Sequence, residues 1–293
     1  MLFLGNLGLT LGSKFTFLVL IKSAVLTKTP KMKRILPIFF IFSVFITGGY
    51  WSARSSVGSM IYFYNTETNI NNFATLKMAF DVYFVNHGGY FFQPFDLREN
   101  FEAAIKEKKG DIYLLSSWHL KELQRKKVPF EIALVGTSKG NIMQRKVLSA
   151  NKDITNVSML KNSVVAAAGS EEYVHSILKQ ILGKEQEALL KDIKILIVPK
   201  DIDAVMAVGF GMASAAISAE SGLDKLAMMN PNHFRELHTL GFSEKDYLLI
   251  AATLKKPDQQ EIQFLDVLRA MSEADAGQAN LKLLGIDGWR TLK

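Results

Sequence analysis

The chain has 293 residues, 48% of them hydrophobic, with a formal charge of +7 and no cysteine. It is long enough for one large or two medium domains, and it can hold no disulfide, thiolate metal site, cysteine nucleophile or lipid-bearing cysteine. The charge belongs to one end: residues 1–52 carry Lys14, Lys22, Lys28, Lys31, Lys33 and Arg34 and no acid, so the remainder is near +1, and it offers no electrostatic case for nucleic-acid binding.

In chain order, KMKR at 31–34 is followed by the apolar run ILPIFFIFSVFIT at 35–47 and by Gly48 and Gly49. A basic start, a short apolar core and small residues are the parts of a secretory signal peptide. The run is shorter than the roughly 20 residues of a membrane-spanning helix. Removal after Gly49 is the expectation, with Met32 as the natural start and 1–31 as an upstream extension. An uncleaved anchor, helped by FTFLVLI at 15–21, is the rival.

From Val57 onward strands and helices alternate. IYFYN (61–65) reads as a strand and 70–84 as a helix, with Phe73, Leu76, Ala79, Phe80 and Tyr83 on its apolar positions. YFFQPF is a strand, 97–109 a helix, DIYLLSSW a buried strand and HLKELQRKK a short amphipathic helix. FEIALVG and QRKVLSA flank the turn TSKGN, which puts Thr137 and Ser138 at the surface. SVVAAAG, IKILIVP and ASAAIS are further strands, separated by the helices EEYVHSILKQIL and DIDAVMAVGFG. Helices are expected to dominate after that, around 225–229, 258–271 and 277–284. The alternation predicts an α/β fold with mainly parallel sheets. No long linker separates two domains, so two lobes joined by crossing strands are expected, with hinge segments near 131–136 and 222–248.

One pattern occurs twice, at 61–80 and 163–182: an apolar run stops at small polar residues and a helix begins. Such a turn gathers backbone N–H groups and a helix N-terminus, which suits an anionic or strongly polar ligand. GDIYLLSSWHL, RKVLSA, VVAAAGSEEY, DIDAVMAVGFGMASAAISAESGLDKL and the closing LLGIDGWRTL resemble the phosphonate/phosphate-type substrate-binding components of ABC importers, over nearly all of 57–293. The resemblance implies a type 2 periplasmic-binding-protein fold, with 53–136 and 225–293 in one lobe and 137–224 in the other. It also implies an exported, periplasmic, monomeric protein without cofactor or catalysis, which closes on a small oxyanion or related polar metabolite and hands it to an inner-membrane permease. A ligand-binding subunit of an envelope sensor is the alternative.

Carried over position by position, the family's site falls on Tyr64, Asn65 and Thr66 after the first strand and on Ser116, Ser117 and Trp118 after the third. It continues at Ser170 at the second-lobe helix start and at Glu220, beside Ser221, after the last strand of that lobe. Each has a plainer reading: Ser170, Asn65 and Thr66 as helix caps, Ser116 and Ser117 as loop residues, Trp118 and Tyr64 as core. Glu171 and Glu172 occupy the first helical turn after Ser170 and would repel a dianion there, which favours a less charged or zwitterionic ligand over phosphate. His119 is within reach of the cleft. His87, His175, His233 and His238 show no metal-ligand spacing, and Gly209 and Gly211 end a helix instead of opening one, so they form no nucleotide fingerprint. QRKK at 124–127 reads as a solvated helix end, and no nucleophile–base pair is visible.

Overall fold

A computed structural model describes residues 59–67 and 72–292; the expected leader lies outside them. The first segment runs β1 (Met60–Tyr64), α1 (Phe73–Val85), β2 (Phe91–Pro94), α2 (Arg98–Lys106), β3 (Ile112–Ser116), α3 (Ser117–Arg125) and β4 (Glu131–Thr137). β3, with the sequence IYLLS, is buried along its whole length, as expected of a strand with helices over both faces of its sheet. A short strand β5 (Met143–Gln144) then leads into β6 (Lys146–Asn151), β7 (Val164–Ala168), α4 (Glu171–Leu182), β8 (Lys194–Val198), α5 (Asp201–Gly209), β9 (Ala215–Ala219), α6 (Glu220–Met229), α7 (Pro231–Arg235) and β10 (Leu237–Phe242). The chain returns through β11 (Asp246–Tyr247) to β12 (Leu249–Thr253), α8 (Gln259–Ala270), α9 (Asp275–Leu283) and β13 (Gly288–Arg290).

These elements form two α/β lobes. One holds a six-stranded sheet in the order β13-β4-β12-β3-β1-β2, the other a five-stranded sheet in the order β10-β6-β9-β7-β8. The connecting segments pair with each other as a two-stranded ribbon, Asp246 opposite Gln144 and Tyr247 opposite Met143. Phe63, Phe80, Phe92 and Phe264 pack one face of the first sheet, and Phe101, Tyr113 and Leu123 the other. In the second lobe the faces are filled by Val165, Ile177 and Leu178 and by Ala204, Val205 and Leu226. Local signals fix the helix starts: Asp258 and Glu261 form a reciprocal capping box at α8, in which each side chain satisfies a backbone donor that the helix leaves free.

Three expectations are corrected. The sheets are mixed: β2-β1-β3 and β8-β7-β9 are parallel, but β12 runs antiparallel to both β3 and β4 and β6 antiparallel to β9. The cause is the double crossing, because strands that enter from the other lobe run against their neighbours. The return to the first lobe also lies later than 225, since β10 pairs with β6 in the second sheet; the crossings are β5, not 131–136, and β11, which falls at the end of the expected segment 222–248. The last part of the chain holds the expected helices, as α6, α8 and α9, but also four short strands, β10 to β13, that were not expected.

Candidate functional site

The carboxyl ends of β1, β3, β8 and β9 face one another across a cleft of about 630 Å³ between the lobes, where open α/β sheets place ligands. From the second lobe, the starts of α5 and α6 reach it: Lys200 and Asp201 at one, Ser221 and Gly222 at the other. The N-cap residues of both helices, Lys200 and Ala219, make no side-chain capping bond, so no capping side chain competes with a ligand for the first-turn N–H groups. From the first lobe come Asn65, Ser116, the start of α1 at Asn72 and Thr75, and the corner 282–286. Lys200, Lys225 and Lys282 line the cleft and have no ion-pair partner among the described residues.

Behind this lining lies a buried charged cluster. Lys146 Nζ donates to both oxygens of Asp201, at 3.2 and 3.0 Å, and Asp201 also accepts from the Ala219 N–H at 2.8 Å. Burial works against the Lys146 ammonium, but Asp201 and Glu67 outweigh it and hold its pKa above the ordinary lysine value. Glu67, from the first lobe, accepts from Gln144 Nε2 at 3.1 Å and from the Tyr173 phenol. Burial, with help from Asp201 and Asp246 and against Lys146, pushes the Glu67 carboxyl up to about 7.

That shift has a sign for stability. Between the ordinary value of 4.5 and about 7, the folded protein keeps a proton that the unfolded chain has released, so stability falls as pH rises through that window. Glu67→Gln should therefore flatten the slope and make the protein more stable than wild type above neutrality. Urea unfolding at about pH 5 and pH 8 checks this; a slope unchanged in the variant would mean that Glu67 ionises normally in the fold.

The sequence-derived candidates gather along one seam, but only Asn65 and Ser116 line the cleft itself. Thr66 is buried, with its hydroxyl 2.7 Å from that of Ser116. Ser116 caps α3 by accepting from the His119 N–H, and Asn65 accepts from the Glu67 N–H at 2.9 Å. Ser117 donates to Asp246 in the connecting ribbon. Ser170 caps α4 through the Tyr173 N–H, and its own N–H donates to the Thr66 carbonyl at 2.7 Å. The turn that should have held an anion is thus covered by the first lobe. Trp118 is buried against Tyr173, ring centroids 5.8 Å apart, and packs into the second lobe's core. Tyr64 packs tilted against Phe101 and edge-on to His119, and His119 is buried with Nε2 3.1 Å from Glu102. Glu220 pairs with Arg145, leaving its neighbour Ser221 on the cleft. Thr137, expected at the surface, is buried and donates to Asp287 at 2.7 Å.

Glu171 and Glu172 do not line the cleft. Both side chains are exposed; Glu172 meets Arg98 at 3.0 Å and Glu171 lies near His175. The repulsion argument against phosphate therefore fails, because these two side chains point to solvent and to Arg98 instead of into the cleft. Sequence reasoning missed Glu67, Lys146, Lys200, Asp201, Lys225 and Lys282. The local signal available was a pair of apolar strands followed at once by helices without a capping residue, VPKDID and SAESG. Among the described residues no group of three or more potential metal ligands occurs, and no helix is long and apolar enough to cross a membrane.

Residues 92–293 match the family model described as ABC transporter, phosphonate, periplasmic substrate-binding protein. No curated protein sequence matches the chain. Among solved structures, a binding-protein component of an ABC phosphonate transporter from Pseudomonas aeruginosa is 14% identical, with a TM-score of 0.59 over 80% of this chain and 82% of that one. PhnD1 of Prochlorococcus marinus, in complex with methylphosphonate, is 11% identical, with a TM-score of 0.55 over 80% and 93%. An ATP-bound protein from Xanthomonas citri is 12% identical, with a TM-score of 0.57 over 80% and 92%. Identities this low speak for the fold.

Proposed function

Because the chain belongs to the periplasmic phosphonate substrate-binding proteins of ABC transporters, a family of transport rather than enzymatic proteins, we propose that it captures a phosphonate- or phosphate-type oxyanion in the interlobe cleft and presents it to a membrane permease. The observation that carries this reading is the convergence of two helix N-termini without capping side chains, those of α5 and α6, with Lys200, Lys225 and Lys282 on one cleft. Helix N-termini favour negative charge, and three ammonium groups raise the local concentration of anions. The cleft carboxylates do not oppose this, since Asp201 is bound to Lys146 and Glu67 to Gln144 and Tyr173. For the same reason neither is free to hold a ligand amine, which favours an oxyanion over a zwitterion.

A ligand that bridges the two lobes stabilises the arrangement in which both contact it. The crossing ribbon of β5 and β11 is where that motion would be absorbed. Its Asp246 is tied to the first lobe by Ser117 and by Lys121 at 2.6 Å, so the second lobe is expected to swing on the 143–145 side.

Calorimetry with phosphate, methylphosphonate and an amino acid tests the reading. The oxyanions should bind and the amino acid should not; the reverse order would sink it. Lys200→Gln combined with Lys225→Gln should weaken oxyanion binding about tenfold, since each removes an exposed charge worth roughly half that on a logarithmic scale.

A further inference from the structure

The cleft is much larger than a small oxyanion. Methylphosphonate has five non-hydrogen atoms, whereas about 630 Å³ lies within the roughly 300–1,000 Å³ of sites that bury drug-sized ligands. Lobe closure has little left to remove from that space, because the lobes already touch beside it. The Ser170 N–H donates to the Thr66 carbonyl at 2.7 Å, Arg98 meets Glu172 at 3.0 Å, and Trp118 is packed on Tyr173.

The lining is also divided. The second lobe supplies the starts of α5 and α6 with Lys200 and Lys225, and the first lobe adds Lys282, Asn65, Asn72, Thr75 and Ser116. The first lobe supplies Phe63, Leu76, Leu249, Leu284 and Ile286, all on the cleft and all members of one buried hydrophobic cluster. Each of the five is less than one-tenth exposed. A hydrated inorganic anion would leave the part of this floor that shows in the cleft uncovered and gain nothing from it. An apolar group attached to the anion would cover it and gain by leaving water.

Resting on the oxyanion reading, we infer that the ligand is amphiphilic: an organophosphonate or phosphate monoester whose anionic head lies at the starts of α5 and α6, and whose alkyl or aryl body of about four to eight carbons lies on the first lobe's apolar floor. The arrangement separates recognition into two parts. The second lobe selects the charge, and the first lobe selects the substituent. Size and polarity of the substituent then decide which phosphonates are taken up.

The test is calorimetry on the purified chain with phosphate and with methyl-, butyl-, hexyl- and phenylphosphonate. Each buried methylene contributes about 0.8 kcal/mol, or three- to fourfold in affinity, so butylphosphonate should bind at least tenfold more tightly than methylphosphonate. Leu284→Ser, which makes one part of the floor polar, should lower that butyl-to-methyl ratio at least threefold. Phosphate and methylphosphonate binding as tightly as the longer compounds would overturn this inference and leave the oxyanion reading standing. Failure of every anion to bind would overturn both. A ratio above ten that survives Leu284→Ser would also overturn the inference as drawn, because the substituent would then lie elsewhere.

Discussion

Lys146→Met should lower the unfolding free energy by about 3 kcal/mol and Tm by about 6–12 °C. Lys146 is almost fully buried, and its ammonium is the cation nearest two carboxylates. Asp201 lies at 3.0 Å, and Glu67 raises the Lys146 pKa by its charge. Removal of the cation leaves Asp201 without its partner and deprives Glu67 of the interaction that opposes its burial. An unpaired buried charge costs far more than the pair contributes, which is why removal of one partner is expected to be severe. Asp201 keeps about a quarter of its side-chain surface and the Ala219 N–H, so the loss belongs at the lower end of the range for buried pairs. Exchanging both partners, Lys146→Met with Asp201→Leu, should recover part of the loss but not all of it, because the Ala219 N–H then loses its acceptor. Urea unfolding of the two variants checks this. A single variant within 1 kcal/mol of wild type would mean that the cluster is hydrated instead of buried.

Gly169→Ala should cost about 2–3 kcal/mol and loosen the docking of the lobes. Gly169 has φ +106°, and a Cβ built there would lie 2.6 Å from the Thr66 carbonyl oxygen and 2.9 Å from the Tyr173 ring. The nearest atom is backbone on the opposite lobe, so no side chain can rotate away; the lobes must part. Gly140, at φ +79° in an open turn with nothing near its Cβ, isolates the cost of the backbone conformation alone. Gly140→Ala should cost about 1 kcal/mol with no change in shape. Small-angle scattering should show a larger radius of gyration for Gly169→Ala only, with oxyanion affinity at least tenfold lower. Equal behaviour of the two variants would show that the Thr66–Gly169 contact does not hold the lobes together.

How much of this is legible in the sequence depends on whether the cause is local. β1 and β7 with their helices are legible because an apolar run, a small polar turn and a helical repeat are all contained in about twenty residues. β8-α5 and β9 are legible for the same reason. β10 is not: LHTLGF is an edge strand with exposed side chains, and only its pairing with β6 makes it a strand. β12 is short and apolar up to Thr253, a pattern that fits strand or buried helix equally. The site divides in the same way. Asn65 and Ser116 reach the cleft because strand ends do so in any open α/β sheet. Lys146 looks like a strand residue beside Arg145, and its burial depends on Asp201, fifty-five positions later. Glu67 is buried against residues of the other lobe, Lys146 and Tyr173 among them, so nothing in its own neighbourhood announces it. Ser170 has the composition of an anion turn but is covered by Thr66 and Glu67, a contact between segments about a hundred residues apart.

β12 lies between β3 and β4, and β13 closes the sheet beyond β4. As the chain is synthesised, β3 and β4 emerge with the slot between them unfilled, and it stays so until residues 249–253 have been made. All five strands of the other sheet, β6 to β10, precede that point. The lobe begun second is therefore the first able to complete its core, and the lobe that contains the first strand finishes last. Pairings of such long sequence separation form slowly. The sheet that holds the first strand stays open until residues 249–253 and 288–290 have been made.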